Sequence, residues 1–242
     1  MKKSVDTNAD KVAKWVKDIS KQIPYAMMLT MNNLAFKARA NAKKDIEKIF
    51  ASPTNYTKSA VQVKKASKGK LVTVIGIGSG IRTGKKGDPR AGYLAPHING
   101  GMRSQKRIEK SLFRGIAASS GAKMWMPAKG EKLNKFGNIP KARQLAIAKG
   151  AVNKGKALHN RKFFVKGRAI YERYGRGLKK VKPVVILFNN ARYQKRLEFY
   201  KPVKDLYAKE FSKTFHTQWN YLIRKEGLSE KGMMVSTGVT VK

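Results

Sequence analysis

The sequence predicts an α+β protein in which long N-terminal and C-terminal helices flank a β-rich, loop-rich middle. Three observations carry that prediction. Apolar residues recur at helical spacing near both termini, β-branched and aromatic runs concentrate between them, and no strand–helix–strand unit repeats. Of the 242 residues, 41% are hydrophobic and 9% aromatic, enough for a packed core rather than a purely disordered basic chain.

The elements follow in order. Asp10 suits an N-cap, after which Val12, Trp15, Val16 and Ile19 recur at helical spacing with Lys11, Lys14 and Lys17 opposite. Pro24 interrupts the pattern and reads as the first turn of a second helix, where its missing N–H is harmless. That helix carries Met27, Met31, Leu34, Ala35, Ala38, Ala42, Ile46 and Ile49 inward and ends near Phe50 and Pro53. Beyond it the period changes. Val61 and Val63 alternate with polar residues, Lys68-Gly69-Lys70 reads as a turn, and Leu71 to Ile77 is β-branched, so a hairpin is expected. Six glycines between 76 and 92, with Pro89 and four basic residues, read as a mobile loop.

A third helix is expected from about Arg103, with Ile108, Leu112, Phe113 and Ile116 as its apolar stripe. Arg103, Arg107, Lys110 and Arg114 then fall on one basic face. Residues 121–140 read as irregular, and a short helix follows from Lys141 to Ala151. Phe163, Phe164, Val165, Ile170, Tyr171 and Tyr174 predict strands, and Val184 to Phe188 a buried one. The last helix spans about Val203 to Lys225, with Val203, Leu206, Tyr207, Phe211, Phe215, Trp219 and Leu222 on its buried side. One domain is expected over 1–230, with a loose tail over 231–242.

The charge is the largest single fact. Lys and Arg number 54 against 14 Asp and Glu, a formal charge of +40. It is distributed, about +6 over 1–50, +14 over 51–130 and +20 over 131–242, so no detachable basic arm carries it. The densest run is Lys154, Lys156, Arg161, Lys162, Lys166, Arg168, Arg173, Arg176, Lys179 and Lys180, with aromatics and glycines interleaved. Such cations neutralise phosphates without reading sequence, and the aromatics could stack on unpaired bases. The same surface could meet an acidic protein neighbour, or be a solvated face. No helix-turn-helix, zinc-finger or RNA-motif signature accompanies it.

Catalytic signatures are missing. Gly76-Ile77-Gly78 opens like a dinucleotide fingerprint, but position 81 is Ile81. Gly84-Lys85 resembles the end of a P-loop, but Ser79 and Lys86 stand where glycine and Ser/Thr are needed. Cysteine is absent, and His97, His159 and His216 are scattered without metal-ligand spacing. Carboxylates are too sparse for a paired acid/base site. Neither a cofactor, a metal nor an enzymatic activity is expected. The longest strongly apolar run, Val184 to Phe188, is far below a membrane span of about 20 residues.

Tyr93-Leu94-Ala95-Pro96, Ile98, Gly100-Gly101-Met102-Arg103, Glu109 and Leu112 together resemble the central motif of the phage minor tail protein Z, or tail completion, family. Met126-Pro127 leads to Leu133, Phe136, Gly137 and Asn138 in the same pattern. Phe163-Phe164-Val165 precedes Ile170-Tyr171-Glu172-Arg173, and Lys182-Pro183-Val184 to Phe188 precedes Tyr193, Arg196, Phe199 and Tyr200. Ile23-Pro24, Asn32-Asn33 and Ala35-Phe36 are similar at the N-terminus. The resemblance covers roughly residues 20–225 in order. Lys135 departs from it where an acid is common, and Gly78 to Arg90 is long for it.

The resemblance implies a structural virion protein, built in the host cytoplasm and placed at the tail neck, where a finished tail joins the filled head. Implied partners are tail terminator, tail tube and connector proteins, further copies of the chain in a ring, six-fold by the symmetry of the site, and the end of packaged DNA. No membrane is implied. Tyr93, Pro96, Gly100, Gly101, Gly137 and Asn138 are then expected at turns and packing positions, with Gly100-Gly101 turning the backbone sharply toward the basic helix. The alternative left open is a sequence-independent nucleic-acid-binding protein outside a virion.

Overall fold

A computed structural model describes residues 9–84, 88–116, 121–152 and 162–228. In chain order its elements are α1 (Ala9–Ile49), α2 (Asn55–Lys58), β1 (Val61–Lys64), β2 (Val74–Ile77), α3 (Gly80–Thr83) and α4 (Pro89–Asn99). Next come β3 (Gly101–Met102), α5 (Arg107–Gly115), β4 (Met124–Pro127), α6 (Lys141–Val152), β5 (Phe163–Lys166) and β6 (Ala169–Tyr174). A 3₁₀ turn (Arg176–Leu178), β7 (Lys180–Phe188), β8 (Arg192–Tyr193) and α7 (Tyr200–Lys225) complete the order. The fold is α+β, with a long helix at each end of a β-containing middle. Where the sequence reads as one domain, the described residues group into two compact units: 9–44, 61–84 and 198–228, and 45–60 with 88–197.

The two N-terminal helices expected from the sequence are one, α1, which belongs to the first unit up to residue 44 and to the second from residue 45. α1 runs 41 residues with Pro24 inside it. Proline there removes the hydrogen bond to the Ser20 carbonyl and crowds that carbonyl with its ring, but periodic sequence on both sides carries the helix through. Ala26, Thr30, Leu34, Ala35, Ala38, Ala42 and Ile46 are its buried stripe, while Met27, Met31 and Ile49 are half-buried. Small residues along that stripe let other chain segments come close. Asn32 uses this proximity: its amide donates to the Ala66 carbonyl (3.2 Å) and accepts from the Ala66 N–H (2.8 Å).

β1 and β2 pair antiparallel from Val61↔Ile77 to Lys64↔Val74, closing the expected hairpin, and Ser67↔Lys70 bridges its inner turn. α7 begins three residues earlier than the periodicity suggests. Of its predicted buried side only Leu222 is fully buried; the others are half-buried. Phe215 stacks between Phe211 (6.4 Å) and Trp219 (6.2 Å), and the Tyr207 hydroxyl donates to the Met31 carbonyl at 3.0 Å.

Residues 76–84 and 88–92 of the glycine-rich segment are not the loop their composition predicts, and 85–87 lie outside the described residues. Gly76 and Ile77 finish β2, residues 80–83 form α3, and α4 starts at Pro89. Asp88 caps α4 by accepting from the Arg90 N–H at 2.8 Å, with Pro89 in the first helical position. Gly84 ends α3 in the left-handed region (φ 72°), as a helix C-terminus favours.

The second unit is built on a four-stranded antiparallel sheet in the order β4-β7-β6-β5. β4, inside the stretch expected to be irregular, pairs Trp125 with Leu187 and Met126 with Ile186. Its two buried residues, Met124 and Trp125, are adjacent and so lie on opposite faces, and four residues are too few to show a period in sequence. β7 is longer than expected and contains Pro183, which sits where the β6–β7 register shifts and no ladder N–H is required. α5 and α6 supply Leu112, Ile147 and Ala151 to a core completed by Trp125, Phe163, Ile170, Val184, Val185 and Leu187.

Candidate functional site

The basic face predicted from Arg103 onward is reduced by one. Helix α5 starts at Arg107, so Arg107, Lys110 and Arg114 remain together and exposed, while Arg103 lies outside the helix and is only 7% exposed. Its guanidinium donates to both carboxylate oxygens of fully buried Glu109, at 2.8 and 2.6 Å, and to the Ser104 carbonyl at 3.1 Å. Glu109 also accepts from the N–H of Lys106 (2.6 Å), capping α5, and of Trp125 (3.3 Å), tying α5 to β4. Burial would push the Glu109 carboxyl up, but these hydrogen bonds outweigh it and hold the group below the usual carboxylate range. Arg103 is therefore a structural cation, not part of a polyanion-facing surface.

The 154–180 run is also rearranged. Lys154, Lys156 and Arg161 lie outside the described residues. Lys166 and Arg168 flank the β5–β6 hairpin, whose Gly167 takes φ 56°. Lys162, Arg176, Lys179 and Lys180 gather at the opposite end of the same strands, where β6 turns into β7. Six residues of β6 at about 3.3 Å each separate the two groups by roughly 20 Å. What reads as one dense patch is thus two exposed basic ends of a sheet. Arg173 lies between them, half-buried, with its guanidinium 4.6 Å from the Phe164 ring, which in turn stacks with Tyr171 at 5.6 Å.

The one carboxylate within that run faces inward. Glu172 (6% exposed) accepts from Arg143 of α6 at 2.7 and 2.6 Å, and Arg143 also donates to Glu131 at 2.8 and 3.2 Å. Hydrogen bonding from Arg143 keeps the Glu172 carboxyl below its ordinary range, and the two carboxylates keep that arginine protonated well beyond the usual alkaline limit. Glu172 also lies 3.8 Å from the Lys162 ammonium and 3.6 Å from that of Lys182, so these acids stabilise the unit internally and offset only a small part of its exposed charge.

The positions carried by the family resemblance sit at turns and packing points. Tyr93 is half-buried on α4, its hydroxyl 3.1 Å from that of Thr57, and Pro96 is buried in the same helix. Gly100 (φ 75°) and Gly101 (φ 98°) end α4 and lead into β3, a backbone path that side chains with a Cβ resist. They turn the chain toward buried Arg103 rather than straight into the basic helix. Gly137 (φ 71°) and Asn138 close a tight loop on Asn134, whose carbonyl and side chain accept from both of their N–H groups.

One concavity went unread in the sequence. In the first unit, Phe36 and Arg39 of α1, Val63 and Lys64 of β1, Lys65 just after that strand, and Arg82 of α3 line a cavity of about 420 Å³. No acid lines it, Phe36 is 39% exposed, and the Lys65 ammonium stands 5.4 Å from its ring centroid. These residues are scattered over 47 positions, so only the fold brings them together. The signal available was Lys64-Lys65 at the end of a strand.

Among the described residues, no group of three or more His, Cys, Asp or Glu is placed to hold a metal ion. No helix among them is long and apolar enough to cross a membrane. His97 packs edge-on between Phe50 (4.8 Å) and Tyr193 (4.7 Å), where burial and then Arg196 lower its basicity. His216 is exposed on α7, and His159 lies outside the described residues. No family model, curated protein or solved structure matches the chain.

Proposed function

We propose that the chain is a structural, non-catalytic virion protein of a tailed bacteriophage, acting at the neck in tail completion and head–tail joining. The observation that supports this reading best is how charge is disposed. Glu109, Glu131 and Glu172 are each turned inward onto an arginine, while the lysines and arginines at both sheet ends and on α5 stand exposed. Such a surface holds a polyanion electrostatically without reading it. The ordered series of motifs resembling tail completion proteins gives that surface a place, beside packaged DNA and acidic neck partners. In this reading copies of the chain form a ring, six-fold by expectation, against the tail terminator, the tail tube and the connector.

Imaging of intact particles with the chain tagged tests the reading. Density or label at the head-proximal end of the tail is the expected result. Particles in which the chain is absent, or purified protein that assembles with neither tail nor connector components, would sink it.

A second reading is favoured by the cation–aromatic pairs on the sheet, Arg173 with Phe164 and Lys182 with Tyr174 at 5.5 Å. There the chain binds nucleic acid without sequence preference outside any particle. It predicts affinity for free DNA or RNA that falls steeply with salt. A flat salt response, unchanged on charge reversal at Lys162, Arg168 and Lys180, would count against it.

A further inference from the structure

We propose that the groove between α5 and α6 docks an acidic, amphipathic helix from another protein. The two helices touch closely at one end, where a Cβ on Gly115 would run into the Val152 side chain. From Val152 at that contact toward the other end they open a cavity of about 630 Å³, lined on α5 by Arg107, Ile108, Ser111 and Leu112. Its floor is apolar, made by Ile108, Leu112, Leu145 and Ala148. Leu145 is 43% exposed, an apolar side chain in a concavity that nothing in the described chain covers. Its rim is cationic, with Arg107, Lys141 and Lys149. No acid lines the groove, and among the described residues no carboxylate pairs with any of these three cations.

Charge selects the occupant. The segments of this chain outside the described residues hold only Asp6 and Glu230 as acids, each with lysines nearby, so none of them complements the rim. A second copy brings another net +40 toward a cationic rim, so whatever holds copies together elsewhere, it complements this groove less well than an acidic partner does. DNA would satisfy the rim but leave Leu145 and Ile108 facing phosphates, gaining nothing from the floor. A helix with an apolar stripe flanked by Asp or Glu satisfies both. The helices forming the walls, 9 and 12 residues, are about 14 and 18 Å long, room for two to three turns anchored at i, i+3 or i+4, and i+7. The inference goes beyond the neck reading and does not depend on it, since the groove is tested on the isolated chain and the neck on particles.

The probe is a labelled synthetic helical peptide of about five turns, with leucines in one stripe and glutamates along both flanks. Binding is followed by fluorescence anisotropy, against a scrambled peptide of identical composition and against duplex DNA as competitor. The striped peptide is expected to bind at least about tenfold more tightly than the scrambled one, the lower end of what burying a single leucine supplies. Leu145→Asp should remove that preference and Leu145→Met keep it. Should Leu145→Asp fold poorly by circular dichroism, the exposed double variant Lys141→Glu/Lys149→Glu reads the rim instead and should weaken the striped peptide by a similar factor. Equal binding of the two peptides, an unaffected Leu145→Asp, or an unaffected rim variant overturns the proposal. So does DNA that displaces the peptide and is itself weakened by Leu145→Asp, which would make nucleic acid the occupant.

Discussion

Asn32 and Glu109 show how single polar side chains set the geometry of each unit. Asn32 makes two hydrogen bonds to the backbone of Ala66, a residue only 6% exposed, so Asn32→Ala leaves a buried N–H and C=O without that partner. The expected loss is about 1–3 kcal/mol in denaturant unfolding. Arg103→Ala should cost more, about 3–5 kcal/mol, because it strands the Glu109 carboxylate where no water reaches it. The same carboxylate fixes a pH dependence. Its folded pKa lies below its unfolded value, so its contribution is complete above about pH 4.5 and is lost as pH falls through the folded pKa. Unfolding of Glu109→Gln followed from pH 7 to pH 3 should start lower and decline less on acidification than the parent. An equal decline would show that the pair contributes nothing to acid sensitivity. In sequence Arg103 passes for one more member of a basic helix face, since i, i+4, i+7 and i+11 fit it. The contrary signal was Glu109, the only acid between 89 and 130. Glu172 stands alone in the same way between 132 and 197, and it too is buried against an arginine. In a chain this basic, a lone carboxylate marks an internal ion pair.

At the scale of elements, what could be read depended on length and period. The hairpin, α6, the β5–β6 pair and α7 announce themselves because their apolar residues repeat over enough positions to define a face. β4 is too short to show a period, and Pro24 reads as a helix start because the local rule about proline outweighs a periodicity that runs on through it. The Gly-rich segment misleads for the opposite reason: its glycines suggest a loop, whereas Asp88-Pro89 starts α4. Two substitutions test these local conflicts. Pro24→Ala restores an N–H to the Ser20 carbonyl and should stabilise α1, by up to about 3 kcal/mol, seen as a raised Tm. An unchanged or lower Tm would mean the proline bend is needed for packing. Gly150→Ala pulls in two directions. Alanine favours the helix by about 1 kcal/mol, but its methyl would sit 2.6 Å from Phe163 Cδ2 and 3.1 Å from Phe163 Cβ, within the core. Because Phe163 is only 3% exposed and cannot swing aside, the overpacking cost of about 1–3 kcal/mol should win and Tm should fall.

For the whole molecule the question is where a net +40 acts. Self-repulsion of that size opposes compaction, so raising salt from low to physiological should raise Tm, as the Debye length shrinks from about 30 Å to 8 Å. The sheet adds a sharper expectation. Lys162 and Lys180 sit at one end of β6 and Arg168 at the other, roughly 20 Å away. Duplex DNA presents one charge per about 1.7 Å, so a duplex lying along the strands would place a dozen or so phosphates across that span and meet both ends at once. Each phosphate neutralised contributes about 0.9 to the slope of log affinity against log salt. Lys162→Glu with Lys180→Glu should then flatten the slope by about 2, Arg168→Glu by about 1, and the triple variant by their sum. Should DNA lie across the strands instead, one end alone would carry contacts. Reversal at the other end would leave the slope where it was, and the two basic ends would have to serve different partners.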